Sequence, residues 1–329
     1  MANRLVPDFF GNSLLSTSLW EEKRKEITEL ILNTQYGNIN PSLSYKIRTE
    51  DAPVNFAGKA LWQTVYFDFS NGELSYTVQT ELILPKDKKD VPVFLAVDFL
   101  PECPNKYLPV EEILDSGFGI FKVCYQNVTA DSGVFDGLCP LIGNGDFGKI
   151  AVWSYMARTM ADYLDTLPSV GKYAVIGHSR LGKTALLTAA LDKRFILACV
   201  NNSGCSGASI FRGKCDNAEK ISDITRVFPF WFTKGFLDYV NNEDSLPYDQ
   251  HMLLSLVAPR YVVIGCAKED YWADNEGAYL CAELARPVWE LYGCENNVSV
   301  YERDGSHFLS RDDWHKYMNK FKEILNGNK

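Results

Sequence analysis

Residues 173–191 read YAVIGHSRLGKTALLTAAL. The opening YAVI is a short apolar run suited to a buried strand, and from Leu181 onward small and apolar residues continue at helical spacing. Between them stands Gly177-His178-Ser179-Arg180-Leu181-Gly182. This is a Gly-x-Ser-x-x-Gly, one residue longer than the Gly-x-Ser-x-Gly of a nucleophile elbow. Strand, tight turn and helix follow in the order an elbow requires. The glycines let strand and helix approach closely around a strained serine, and the N–H after the serine, here that of Arg180, would donate to a developing oxyanion. An ordinary strand-to-helix turn can carry the same glycines. The strand on one side and the helix on the other are what make Ser179 a candidate nucleophile.

Working outward, strands and helices alternate. On the N-terminal side, VPVFLAVDFL (91–100) and GIFKVCYQ (119–126) are nearly continuous apolar runs, as expected of parallel strands buried on both faces. A helical segment follows at 149–164. On the C-terminal side come strand 197–201, strand 260–266, helix 276–286, strand 298–301 and a last helix at 312–325. This alternation predicts a mostly parallel, doubly wound sheet with helices on both faces, the α/β-hydrolase fold. An amphipathic helix at 18–34 and a hairpin precede it, the hairpin strands TVYFDFS and YTVQTELILP being split by Asn71-Gly72, which suits a tight turn. The whole chain, 1–329, reads as one domain, with the helix and hairpin over 18–84 in front. Residues 205–250, rich in aromatics, read as an insertion over the strand ends.

A serine elbow needs an acid and then a histidine later in the chain. The chain has four histidines. His178 lies inside the elbow, His251 heads an apolar helix, and His315 falls within the last helix. His307, in YERDGSHFLS between the final strand and final helix, is the candidate base by position and by elimination. The acid is expected after the next-to-last strand, in RYVVIGCAKEDYWAD, where Asp270 is the first choice and Glu269 the alternative. Either one read alone is also a solvated loop carboxylate.

The composition limits the partners. A formal net charge of -9 argues against nucleic acid or an acidic membrane surface. No apolar stretch approaches the ~20 residues needed to span a bilayer. Nine cysteines, an odd number and scattered, form no metal-ligand pattern, and several stand in apolar runs; together with an N-terminus lacking a secretory pattern they predict a reducing, cytoplasmic setting, although a secreted chain with its signal removed would read the same. No cofactor or metal is expected. Gly143-Asn144-Gly145-Asp146-Phe147-Gly148 looks like a phosphate loop only superficially, because it has neither the preceding strand nor the Gly-Lys-Ser/Thr ending.

Several stretches together resemble carbohydrate esterase family 15, the glucuronoyl esterases, and its bacterial branch in particular. They are GHSRLGKTAL (177–186), NNSGCSGAS (201–209), FPFWF (228–232), LPYDQHMLLSLVAPR (246–260), EDYWAD (269–274) and DGSHFLSRDDW (304–314). The resemblance implies that Ser179 is the nucleophile and His307 the base, that the Arg180 guanidinium lines the oxyanion hole, and that Lys183 holds sugar hydroxyls. Trp272 and Trp231 would stack on a sugar face, unless they are core aromatics. The implied reaction is hydrolysis of a 4-O-methyl-glucuronate-type ester on a small carbohydrate or oligosaccharide. One departure stands out. Many members, fungal ones especially, carry the catalytic Glu where this chain has Asn202, whereas others place the acid after the later strand. Two other readings remain, a sugar acetyl esterase using the same triad and an inactive sugar-binding relative, which Asn202 alone favours. The oligomeric state is left open.

Overall fold

The computed structural model describes residues 4–7, 16–39, 43–53 and 56–327. Among them, nine strands form one sheet: β1 (Ser44–Asp51), β2 (Ala60–Ser70), β3 (Ser75–Pro85), β4 (Val91–Asp98), β5 (Gly119–Cys124), β6 (Val170–His178), β7 (Phe195–Asn201), β8 (Tyr261–Ala267) and β9 (Val298–Arg303). Their order is β1-β2-β3-β5-β4-β6-β7-β8-β9. The pairings from β1 through β3 to β5 are antiparallel, and every pairing from β5 to β9 is parallel. This is the α/β-hydrolase arrangement.

The period-two alternation of a strand divides the core in two. In β4, Val93, Leu95 and Val97 enter one apolar cluster, while Phe94 and Ala96 enter the other. The first cluster is covered by α1 (Thr17–Ile31), α4 (Lys149–Leu164), α5 (Arg180–Leu191), α7 (Gln250–Ser255) and α8 (Asn275–Glu290). The second is covered by α2 (Val110–Asp115) and α9 (Arg311–Gly327). Two further helices, α3 (Cys139–Ile142) and α6 (Ile221–Val227), lie in connections. Because both faces are covered, β4 and β5 are buried almost throughout, which is why they read as continuous apolar runs.

Three details depart from the sequence expectation. The Asn71-Gly72 turn is not a two-residue hairpin: Ser70 pairs with Ser75, leaving four residues between the strands. The Asn71 side chain caps this wider turn by accepting from the N–H groups of Glu73 (3.1 Å) and Leu74 (2.8 Å), and Gly72 supplies φ +95°. The first helix is regular only to Ile31, and Leu32–Tyr36 form a wider π-helical turn that buries Gln35 and Tyr36. Finally, β1 was not expected. It is a mostly charged, exposed edge strand whose short apolar face, Tyr45 and Ile47, packs only partly buried on the core.

Residues 205–250 carry no strand. They comprise α6 and short helical turns at Pro229–Trp231, Lys234–Tyr239 and Glu243–Ser245. Their buried side chains, Phe211, Trp231, Phe232 and Phe236 among them, join the same apolar cluster as α4 and α5.

Candidate active site

The elbow begins with geometry that only special residues tolerate. Ser179 has φ 57° and ψ −125°, a strained conformation for a residue with a Cβ. It is held there because its N–H donates to the Asn201 carbonyl (2.9 Å) at the end of β7, while its own carbonyl accepts from Gly182 and Lys183 as α5 begins. The turn is tight enough that a Cβ on Gly177 would lie 2.0 Å from the Leu181 carbonyl oxygen. A side chain at 177 would force helix and strand apart. Arg180 opens α5, so its N–H has no intrahelical partner.

His307 lies in the loop after β9, and Asp270 in the loop after β8. The His307 Nδ1 stands 2.6 Å from Asp270 Oδ2. With Nδ1 donating, Nε2 is the basic ring atom. Ser179, His307 and Asp270 line one cavity. Asp270 is 5% exposed. Burial alone would raise its carboxyl, but the hydrogen bond and charge of His307, with an amide bond from Asn202, hold it below the usual carboxylate range. Glu269, its neighbour, is exposed, and its backbone N–H donates to the Gly305 carbonyl (3.1 Å). Asn202, at φ 42°, gives its Nδ2 hydrogen to Asp270 Oδ2 (2.6 Å), so the amide contacts the acid.

The remaining histidines stand apart from this triangle or behind it. His251 is buried at the head of α7, and burial pushes it down to about 4. His315 is solvent-exposed on α9, with Nε2 3.2 Å from Glu112. His178 packs against the His307 ring and is described below.

The cavity has a volume of about 370 Å³. Arg180, Lys183, Glu219, Phe228, Trp231 and Trp272 complete most of its wall. The Arg180 guanidinium is paired with Asp131 and lies 4.9 Å and 4.7 Å from the ring centroids of Phe228 and Trp231. Asp131 is itself fixed by Trp231 Nε1 (2.7 Å) and Tyr125 Oη (3.1 Å). Lys183 is buried; its Nζ donates to the Ser203 carbonyl (2.5 Å) and pairs with Glu219 at 3.8 Å. Burial lowers its pKa, and the Glu219 charge opposes that.

Trp231 and Trp272 differ. Trp272 is 48% exposed at the mouth. Trp231 is 2% exposed, with Phe228 stacked on it at 3.9 Å and its indole N–H spent on Asp131. It is a wall residue rather than an open stacking platform. Sequence reasoning missed Asp131 and Glu219, which reach the site from loops with no motif. Residues 143–147 of the glycine-rich stretch line a separate cavity of about 530 Å³ with Phe135, Phe230 and Phe232. Beside Trp272, Asp274 caps α8 and is clamped by Arg4 (2.9 and 2.8 Å), Lys214 (2.8 Å) and Ser209 (2.7 Å).

The family described as glucuronyl esterase, fungi, matches residues 68–293. A carbohydrate esterase of an unknown prokaryotic organism is 30% identical, over 94% of this chain and 86% of that protein. A 4-O-methyl-glucuronoyl methylesterase of Schizophyllum commune is 27% identical, over 93% of this chain and 78% of its own. Among solved structures, a glucuronoyl esterase from Solibacter usitatus superposes with a TM-score of 0.85 at 29% identity, over 96% of each chain.

Proposed function

Because this chain belongs to the glucuronoyl esterases, carbohydrate esterase family 15, we propose that it hydrolyses a 4-O-methyl-glucuronoyl ester of a carbohydrate through an acyl-enzyme. The observation that carries the reading is the Asp270–His307 pair, 2.6 Å long, opening onto the same cavity as a serine at φ 57°.

In this reading Ser179 Oγ attacks the ester carbonyl and passes its proton to His307 Nε2. Asp270, already ionised, stabilises the imidazolium and holds the ring in the tautomer that leaves Nε2 basic. The tetrahedral oxyanion is met by the Arg180 N–H and guanidinium. Asp131 and the Phe228–Trp231 stack hold that guanidinium in place before reaction, so little reorganisation is needed as charge develops. The imidazolium then returns its proton to the leaving alcohol. A water activated by the same histidine releases the uronic acid and frees Ser179.

The acyl side is where specificity resides. Lys183 and Glu219 offer a charged donor and acceptor to sugar hydroxyls, and exposed Trp272 offers a ring face. A site selecting only an acetyl group has little use for these. The test is side-by-side turnover of methyl glucuronate, benzyl glucuronate and acetylated xylo-oligosaccharides. Faster cleavage of both glucuronate esters supports the reading, and preference for the acetyl ester overturns it.

A further inference from the structure

The elbow holds a second imidazole that the reaction as described does not use. The His178 ring centroid lies 4.5 Å from that of His307, at a 43° tilt. Phe99 and Tyr107 pack on it at 6.0 Å each. It is 4% exposed.

A polar chain fixes its protonation. His178 Nδ1 stands 2.7 Å from Asn201 Oδ1, and Asn201 Nδ2 donates to Tyr317 Oη (3.2 Å). With the amide's donor end engaged by Tyr317, its acceptor end faces His178, so Nδ1 carries the hydrogen. The hydroxyls of Tyr317 and Tyr301 converge with Asn201 Nδ2 over Gly265; a Cβ at 265 would meet all three at 2.5–2.7 Å. Tyr301 donates to Asp313 Oδ1 (2.7 Å), and Arg303 Nε donates to Asp313 Oδ2 (2.7 Å). The other end of Arg303 grips the carbonyls of Ser306 and Phe308, on either side of His307. Polar contacts therefore run from the elbow behind the serine to the loop that carries the base.

We propose that His178 is a positioning residue, a neutral imidazole held in one tautomer whose ring keeps His307 aligned between Asp270 and Ser179. The His307 side chain is 42% exposed and is held by Asp270 at Nδ1; a single bond of this kind leaves rotation of a ring about it unopposed. A packed neighbour removes that freedom, which an activated nucleophile needs removed. Neutrality matters as well, because a second cation at 4.5 Å would oppose imidazolium formation. Burial first, and then the charge of His307, push His178 down to about 3; the other titratable groups acting on it are Asp270 and Asp313.

This inference rests on His307 being the base. The experiment compares His178→Ala, His178→Phe and His307→Ala on methyl glucuronate, with kcat and KM measured separately across pH. His178→Ala should lower kcat about tenfold to a hundredfold, as a small misalignment does, and leave KM within about twofold. His178→Phe, which refills the space, should recover most of that loss with the same acid limb as the parent enzyme. Parental kcat in His178→Ala overturns the inference, as does an ionisation that vanishes in His178→Phe. If His178→Ala does not fold, His178→Asn decides: it can bond Asn201 but offers no ring, so an unchanged kcat overturns the inference. Near-parental turnover in His307→Ala overturns the base assignment itself, a different result from an active His178→Ala in an enzyme that His307→Ala abolishes.

Discussion

Asn202 gives an amide hydrogen to Asp270 across 2.6 Å, on the same carboxylate oxygen that receives Nδ1–H of His307. The position at which fungal relatives are expected to carry a glutamate is thus filled by a donor to the Asp270 carboxylate. The two choices are linked. A carboxylate at 202 would face Asp270 at hydrogen-bond distance, and two such groups cannot both ionise there. An amide costs no charge and keeps Asp270 anionic.

Asp270→Asn should therefore lower kcat by about 10⁴, the scale seen when a triad aspartate becomes an amide. Glu269→Gln, altering an exposed neighbour, should leave kcat within about twofold, because surface changes away from the chemistry have small effects. Steady-state kinetics on methyl glucuronate decides between them; the reverse ranking would make Glu269 the acid.

Ser179→Ala removes the nucleophile and should lower turnover by about 10⁶, leaving only what binding and the oxyanion groups supply. The strained φ is shared by any residue at that position, so the thermal midpoint should hardly change. Near-normal turnover would remove Ser179 from the mechanism.

Asp131→Ala releases the Arg180 guanidinium from its anchor. If a fixed cation serves the oxyanion, kcat should fall about 10- to 100-fold, short of the loss from deleting a donor outright. Trp231→Phe keeps the stack on Phe228 but loses the Nε1 bond to Asp131, and should give a smaller loss. Unchanged kcat in both would leave Arg180 without a part in the chemistry.

Lys183→Ala should raise KM for methyl glucuronate more than for a simple acetyl ester. Loss of one charge-assisted hydrogen bond corresponds to about tenfold. Glu219→Gln should shift KM in the same direction by less. Equal effects on both ester classes would make the pair a structural one.

Stability should fall on the acid side for a reason that can be assigned. His178 and His251 are held down to about 3 and about 4 by burial. In the unfolded chain both protonate near 6.5. Below that pH the unfolded state binds more protons, so the stability of the neutral histidines is complete above about pH 6.5 and is lost as pH falls. The loss is about 1.4 kcal/mol per pH unit for each histidine until its folded value is reached. Asp270 and Asp274, both held below the ordinary carboxylate value, add a further loss below about pH 4. Unfolding midpoints from pH 8 to 4 should be flat and then decline, and His251→Gln should make the decline shallower. A constant midpoint from pH 7 to 4.5 would contradict this.

What could be read from the sequence was local. The elbow is legible because glycines, strand and helix lie within twenty residues, and His307 because histidines are few. Choosing Asp270 over Glu269 depends on how the loop folds: the N–H of Asp270 bonds the Ala267 carbonyl and turns its side chain inward, and no pattern of residue types encodes that direction. Asp131 and Glu219 were illegible for a related reason, since each is an isolated loop carboxylate until the chain is folded. Trp231 was legible as an aromatic of the site but not as one whose face Phe228 already covers. The edge strand β1 escaped notice because its apolar alternation is only two residues long, Tyr45 and Ile47, among charged and exposed ones.

The clamp of Arg4 on Asp274 joins residues 270 positions apart. During synthesis Arg4 emerges 270 residues ahead of Asp274, so this ion pair cannot form until that whole stretch has followed. A contact of such sequence separation closes late, after the sheet has brought its ends together. Its loss should therefore leave the folding rate almost untouched and appear as faster unfolding. Because Asp274 caps α8 two residues after Trp272, cutting the clamp by Arg4→Ala should loosen the mouth of the cavity before it disturbs the sheet.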